Sequence, residues 1–264
     1  MSLTARPPLI GVFDSGVGGL SVLRALHQRR PDCSLLYLAD SGHAPYGERD
    51  GAHVVDRSLK IAQYLADQGA SMVVVACNTA TAAAIDALRG RFSHLSLVGV
   101  EPGVKPAALV SRNKRIGVMA TPSTLASARF ATLVQRHASD CLVVSQACPG
   151  LAAAIERGAA AGAEIDALLD RYTKPLVEAQ VDTVVLGCTH YPFMADRIAM
   201  RLGPDVTILD TADAVARHAL NLHGTSEPDS LPEVRLRTTG QTTVLERLAM
   251  AHLGLSMAAQ LVEI

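Results

Sequence analysis

Two apolar runs in this 264-residue chain each end two residues before a cysteine, and no other feature constrains the fold as strongly. The first run is Val73–Val75, before Cys77, and the second is Val184–Leu186, before Cys188. Short, uninterrupted apolar runs rich in β-branched residues are typical of parallel strands buried on both faces. Ligands of open α/β sheets bind beyond the carboxyl ends of such strands. We therefore expect both cysteines at ligand-binding edges of parallel sheets.

Each cysteine is followed by residues that predict a helix. Asn78 and Thr79 precede an alanine-rich segment after the first cysteine. Thr189 and His190 follow the second cysteine, and Pro192 is well suited to open the next helix. The free N–H groups of a helix N-terminus favour a thiolate over a thiol. We therefore predict that both thiols are chemically active.

The remainder of the chain alternates short apolar strands with amphipathic helices, which indicates an α/β fold with parallel sheets. One helix is predicted over about 124–135, and a polar loop over 223–232. The segment Ile10–Gly16 resembles Ile116–Pro122, and each precedes a cysteine-ended strand at a similar distance. This repeat predicts two similar doubly wound parallel-sheet domains that face each other across a cleft.

The predicted first domain is discontinuous and comprises residues 1–97 with about 206–264, and the second covers about 98–205. The predicted active site lies in the cleft between them. A strand at 206–209 is expected to return to the first domain.

Composition excludes several classes of function. The net charge of −1 gives no general attraction to nucleic acids or anionic membranes, and 3% aromatic residues leave little for base stacking. Five cysteines without a CxxC pair argue against a disulfide framework and favour a reducing compartment. The first eight residues lack the apolar segment of a signal peptide, and no apolar run is long enough to span a bilayer. We therefore expect a cytoplasmic protein with no nucleic-acid or membrane partner.

Two thiols on opposite sides of one substrate can invert a carbon centre. One thiolate removes a proton, and the other thiol returns a proton to the opposite face. Asp14 and His190 are the candidates for tuning the thiols. Backbone N–H groups at the two helix starts, with Asn78, Thr79 and Thr189, suit a substrate carboxylate.

Six stretches resemble the aspartate/glutamate racemase family. They are Ile10–Leu23, Leu38–Arg49, Val73–Ala82, Gly99–Ala107, Cys148–Gly158 and Val184–Phe193. They are spread over most of the chain and together are highly specific.

This resemblance implies a cofactor-independent isomerase that interconverts L- and D-glutamate, with D-glutamate supplying peptidoglycan synthesis. It implies that Cys77 deprotonates D-glutamate and Cys188 deprotonates L-glutamate, assisted by Asp14, Glu156 and His190. A homodimer is the assembly it implies, and no metal is expected. The substrate-binding positions that it implies are Asp14, Ser15, Tyr46, Gly47, Asn78, Thr79, Thr121, Thr189 and His190.

The residues also allow other interpretations. Aspartate, with its shorter side chain, is the nearest alternative substrate. Cys188 and His190 also fit the nucleophile and base of a cysteine hydrolase. Cys77, Cys188 and His190 are three candidate ligands of a structural zinc ion, although a fourth is not evident. A protein that only binds an amino acid is a further alternative, but it gives no reason for two matched thiols.

Overall fold

The computed structural model describes residues 9–223, 231–254 and 256–264. Their contacts divide the chain into two compact units. Unit 1 is Met1–Val100 with Ala212–Ile264, and unit 2 is Glu101–Thr211. Most of the loop predicted at 223–232 lies outside the described residues. Among the helices that are described, none combines the length and apolarity that crossing a membrane requires.

The strands and helices follow one another in the alternation that the sequence predicts. The strands are β1 Leu9–Asp14, β2 Ser34–Ala39, β3 Ala70–Val75, β4 Ser96–Gly99, β5 Arg115–Ala120, β6 Leu142–Ala147, β7 Thr183–Gly187, β8 Thr207–Leu209, β9 Val234–Thr238 and β10 Ala259–Leu261. The helices are α1 Leu20–Arg29, α2 Gly51–Asp67, α3 Asn78–Arg91, α4 Val104–Val110, α5 Pro122–Leu125, α6 Ala128–His137, α7 Leu151–Arg157, α8 Gly162–Glu178, α9 Ala195–Leu202, α10 Ala212–His223 and α11 Thr242–Leu253.

Unit 1 is built on a six-stranded parallel sheet with the order β10-β9-β2-β1-β3-β4. Its central strands are apolar because both faces are covered, and Val73, Val74 and Val75 are fully buried. Helix α2 packs with α3, and α1 packs with α10 and α11. The apolar faces of α2 and α3 join β1, β2 and β3 in one core.

Unit 2 is built on a four-stranded parallel sheet with the order β6-β5-β7-β8. The order β2-β1-β3-β4 within unit 1 has the same pattern, with the first strand of each set inside the sheet. The repeat that the sequence suggests is therefore present in the topology. The prediction of two doubly wound parallel-sheet α/β domains is confirmed.

The structure differs from the sequence-based expectations at two helices. The helix predicted over 124–135 is two helices, α5 and α6, because the hydroxyl of Ser127 accepts the backbone N–H of Phe130 and caps α6. The segment opened by Pro192 begins as a 3₁₀ turn, Tyr191–Met194, and becomes α-helical only at Ala195.

The return of the chain to unit 1 also comes later than predicted. The sequence predicts strand β8 in the first domain, but it pairs with β7 in the sheet of unit 2. The first residue of the returning segment is Ala212. Thr207–Leu209 thus cover the edge of β7 in unit 2.

Candidate active site

The candidate site in unit 1 lies where the strand order reverses. Strand β1 leads to β2 on one side, and β3 pairs on the other side of β1. Phe13 lies opposite Val75 in this pairing, so Asp14 and Cys77 follow at the same edge of the sheet. A reversal of strand order leaves a crevice beyond the carboxyl ends, where ligands of open α/β sheets bind.

Cys77 is the N-cap residue of α3. Its Sγ accepts the backbone N–H of Ala80 at 3.4 Å and lies 3.6 Å from the Oγ of Ser15. The side chain is almost completely buried. Donors at a helix N-terminus stabilise a thiolate more than a thiol, so this placement suits a cysteine that exchanges protons.

Asp14 is fully buried at the end of β1. Its Oδ1 accepts the backbone N–H of Gly16 at 2.8 Å and the hydroxyl of Ser15 at 3.3 Å. The turn that follows is tight, because a Cβ on Gly19 would come within 2.7 Å of the Asp14 Cβ. This close approach explains the glycine at position 19, in the turn whose Ser15 lies next to Cys77.

Asn78 and Thr79 occupy the first turn of α3, and both are buried. The Nδ2 of Asn78 has no hydrogen-bond partner among the described residues. A buried amide donor without a partner destabilises the protein, and a ligand that accepts its hydrogen bond offsets this penalty. Because helix N-termini also favour anions, this half of the site suits a carboxylate ligand.

Tyr46 and Gly47 lie in a short 3₁₀ turn, Tyr46–Glu48. The hydroxyl of Tyr46 donates to Asp40 Oδ2 at 2.5 Å, so its proton is not available for a hydrogen bond to a ligand. Burial and the charge of Asp40 raise the pKa of Tyr46 well above its ordinary value. Tyr46 is therefore a neutral phenol across the physiological pH range.

Asp40 is a residue that the sequence reasoning missed. It is fully buried after β2 and accepts hydrogen bonds from Arg57 at 2.8 and 2.9 Å and from Thr239 at 2.8 Å. Burial favours the neutral acid, but hydrogen bonds from Arg57, Tyr46 and Thr239 outweigh it and lower the pKa of Asp40. Its position one residue after a strand, like those of Thr121 and Cys188, was the signal that could have found it.

The candidate site in unit 2 has the same topological position. Ala120 lies opposite Gly187 in the pairing of β5 with β7, so Thr121 and Cys188 leave the sheet side by side. The hydroxyl of Thr121 caps α5, accepting the N–H of Thr124 and contacting its Oγ1 at 2.9 Å. Thr189 is buried directly after Cys188.

Cys188 is paired with an imidazole rather than with a helix N-terminus. Its Sγ lies 3.8 Å from His190 Nδ1, and His190 Nε2 lies 2.7 Å from Glu156 Oε2. Burial opposes the imidazolium, but the hydrogen bonds to Cys188 and Glu156 outweigh it and raise the pKa of His190 well above its ordinary value. The structure thus brings three of the predicted catalytic residues together in unit 2.

A third thiol, Cys148, follows β6 in unit 2 and is buried. Its Sγ donates to the carbonyl of Gln146 at 3.4 Å. Burial and the neighbouring Cys188 raise the pKa of Cys148, so it remains a neutral thiol. This agrees with a structural role.

Two of the alternative functions can be compared with this geometry. The described residues contain no group of three or more histidine, cysteine, aspartate or glutamate side chains able to hold a metal ion, so the zinc site has no support. The Cys188–His190–Glu156 arrangement would also suit a cysteine hydrolase. The geometry alone does not separate a hydrolase from an isomerase.

Known proteins provide that distinction. Residues 20–219 match the family model described as Asp/Glu/Hydantoin racemase. The glutamate racemase of Ralstonia pickettii is 45% identical over 267 residues, which cover 100% of this chain and 94% of that protein.

Solved structures that are similar to this chain are also glutamate racemases. A glutamate racemase isoform from Bacillus anthracis is 33% identical with a TM-score of 0.88, covering 97% of this chain and 98% of that chain. The Escherichia coli glutamate racemase, solved in complex with L-glutamate, is 29% identical with a TM-score of 0.85, covering 98% of this chain and 99% of that chain.

A thiol beyond a central parallel strand in each of two α/β units, together with these similarities, defines the chain as a racemase, which is an isomerase. The chain belongs to the Asp/Glu/hydantoin racemase family. The resemblance found in the sequence is confirmed, and the hydrolase alternative loses its support.

Replacing Glu156 by glutamine is expected to lower the pKa of His190. The substitution removes the carboxylate charge 2.7 Å from Nε2, and one opposite charge at this range shifts a pKa by about one unit or more. Histidine NMR titration measures the change. Glu164→Gln, an exposed glutamate paired with Arg157, is the matched control and should leave the titration of His190 unchanged.

The raised pKa also fixes a pH dependence of stability. His190 contributes most to folding below about pH 6.5, its unfolded-state pKa, and this contribution is lost as the pH rises through the folded-state value. Identical titration curves for the wild type and Glu156→Gln would contradict the assignment of Glu156 as the charge partner.

Replacing Asp40 by alanine is expected to reduce the free energy of unfolding by about 3–5 kcal/mol, because the guanidinium of Arg57 would stay buried without its counter-charge. Urea unfolding followed by circular dichroism measures the change. Since the pKa of Asp40 is lowered, its contribution is present above about pH 4 and is lost as the pH falls through the folded-state pKa.

The control is Asp56→Ala, which removes an exposed carboxylate paired with Lys60 on α2. Its free energy of unfolding should stay within about 0.5 kcal/mol of the wild type. Equal unfolding midpoints for Asp40→Ala and Asp56→Ala would show that the buried pair does not stabilise the fold.

Proposed function

We propose that the chain interconverts L- and D-glutamate by a two-base mechanism in which Cys77 and Cys188 act on opposite faces of one substrate. The observation that carries the proposal is the matched placement of the two thiols, each beyond a central parallel strand beside a reversal of strand order. Inversion at one carbon needs an acid and a base on opposite faces, so we propose that each unit supplies one of these two groups.

In the proposed reaction, the Cys77 thiolate removes the α-proton of D-glutamate, and the Cys188 thiol delivers its proton to the opposite face of the carbanion. The product is L-glutamate, with Cys77 now a thiol and Cys188 a thiolate. The reverse reaction starts from that state, with Cys188 as the base. No electron pair leaves the substrate, and one proton enters as one departs.

The surroundings of the thiols support these roles. The Ala80 N–H and the Ser15 hydroxyl are next to Cys77, and buried Asp14 holds the turn that carries Ser15. His190, with its pKa raised by Cys188 and Glu156, is an imidazolium that stabilises the Cys188 thiolate. Asp14, Glu156 and His190 are therefore proposed to assist proton transfer.

The donors that surround the thiols support a dicarboxylate substrate. The unpartnered Nδ2 of Asn78 and the N-terminus of α3 suit one carboxylate. Because the phenol of Tyr46 donates to Asp40, we propose that Tyr46 contributes its ring and backbone rather than its proton. The proposed substrate-binding residues are Asp14, Ser15, Tyr46, Gly47, Asn78, Thr79, Thr121, Thr189 and His190.

We propose that no pyridoxal cofactor takes part, on the basis of the lysines. A Schiff base needs a lysine with a depressed pKa, which usually means burial. Lys60, Lys114 and Lys174 form exposed ion pairs with carboxylates, and Lys105 is exposed on α4. The carbanion must then be stabilised by preorganised donors in a site that excludes water.

Glutamate is preferred to aspartate as the substrate because the relatives that match along most of the chain are named glutamate racemases. In the cell the D-glutamate formed would supply peptidoglycan synthesis, which places the reaction in the cytoplasm. A homodimer is the proposed assembly, and light scattering on the purified chain measures it.

Cys77→Ala and Cys188→Ala are each expected to lower the rate of racemisation by about 10²–10⁴-fold, because each removes one of the two proton-transfer groups. NMR in deuterated water measures the exchange of the α-proton, starting separately from D- and L-glutamate. Wild-type product should carry deuterium at the α-carbon. Cys33→Ala, a buried thiol of unit 1 outside the candidate site, is the control and should retain activity.

Full racemisation by either cysteine variant would exclude the two-thiol mechanism. Absence of exchange from both glutamate enantiomers in the wild type, with exchange from D- or L-aspartate, would make aspartate the substrate. Loss of activity on removal of pyridoxal phosphate would exclude the cofactor-free reaction.

A further inference from the structure

Thr81 lies one helical turn after Cys77 and connects three parts of unit 1. It is in the first turn of α3 and is almost completely buried. Its backbone N–H donates to the carbonyl of Cys77 at 2.8 Å. Its hydroxyl donates to the carbonyl of Val75, the last residue of β3, at 3.2 Å.

The same hydroxyl also reaches the residue at which the chain leaves unit 1. The backbone N–H of Val100 donates to Thr81 Oγ1 at 3.1 Å and to the carbonyl of Val75 at 3.2 Å. Val100 is the last residue of this part of unit 1, before the chain continues into unit 2. Thr81, Val75 and Val100 thus form a closed triangle of hydrogen bonds at the end of β3, two residues before Cys77.

Packing holds the side chain of Thr81 in the same position. Gly99 precedes Val100, and a Cβ on Gly99 would come within 2.6 Å of the Thr81 Cγ2. The methyl group therefore fills the space that a larger residue at 99 would need. The hydroxyl is thus held by its own two hydrogen bonds, and the methyl group packs against Gly99.

We propose that Thr81 is a positioning residue that fixes the turn carrying Cys77 to the segment leading out of unit 1. The turn must be held because Cys77 Sγ depends on the Ala80 N–H at 3.4 Å for stabilisation of its thiolate. Loosening the turn weakens that hydrogen bond and makes the thiol harder to ionise. This inference rests on the proposed function only in treating Cys77 as a thiol that must ionise.

The decisive comparison is Thr81→Val against Thr81→Ser. Valine keeps the shape and removes the hydroxyl, whereas serine keeps the hydroxyl and removes the methyl group. The readout is the pH profile of alkylation by iodoacetamide, followed at each cysteine by peptide mass spectrometry. The midpoint of the profile reports ionisation, and the plateau rate reports access, so the two effects are separable.

In Thr81→Val the midpoint for Cys77 is expected to rise by about half a unit or more, equivalent to roughly threefold less thiolate at a pH below the midpoint. In Thr81→Ser it should stay within about 0.2 unit of the wild type. Cys188, in unit 2, is the internal control and should not change. The kcat for racemisation should fall in Thr81→Val, where the Cys77 midpoint rises, and recover in Thr81→Ser.

A Cys77 midpoint in Thr81→Val equal to that of the wild type would overturn the proposal, and so would an equal shift in Thr81→Ser. If Thr81→Val does not fold, Gly99→Ala provides the test, because it displaces Thr81 while keeping its hydroxyl. Gly90→Ala, in α3 with no atom outside the helix backbone within 4 Å of the added Cβ, is its control. A wild type with no racemisation would contradict the proposed function, but the Cys77 midpoints would still decide the role of Thr81.

Discussion

Both candidate sites depend on one constraint. The first strand of each unit lies inside a parallel sheet and pairs with a strand on either side. In unit 1 the neighbours of β1 are β2 and β3, and in unit 2 the neighbours of β5 are β6 and β7. Helices that leave in opposite directions open a crevice at that point, so a ligand bound there meets residues at or just after the ends of the strands. Asp14, Cys77, Thr121 and Cys188 all occupy such positions.

The two thiols share this position but not their surroundings. Cys77 caps a helix and receives a backbone N–H, whereas Cys188 is followed by a 3₁₀ turn and is next to His190. The Sγ of Cys77 thus has neutral dipoles around it, whereas the Sγ of Cys188 lies next to an imidazole whose pKa is raised by hydrogen bonds to Cys188 and Glu156. The two halves of the repeat thus place a thiol at the same topological position in different electrostatic surroundings.

Much of the stability around the candidate site of unit 1 depends on groups that do not themselves carry the proposed chemistry. The buried pair of Asp40 and Arg57 holds Tyr46, and Tyr37 donates to the carbonyl of Gly16 at 2.6 Å in the turn after Asp14. Each of these partners comes from a different element of the sheet or its helices. The positions of the side chains at this site therefore depend on the folding of several elements of unit 1.

The sequence by itself determined the α/β class, the strands that end near Cys77 and Cys188, and the family, because apolar runs and motifs are local in the chain. It did not predict the break between α5 and α6 or the pairing of β8 with β7, since side-chain capping and strand partners compete with periodicity. It also missed Asp40 and Thr81. Only the tertiary structure gave these residues their roles, because a buried carboxylate or hydroxyl is defined by partners such as Arg57, Thr239 and Val100 that are distant in sequence and become neighbours only when the sheet forms.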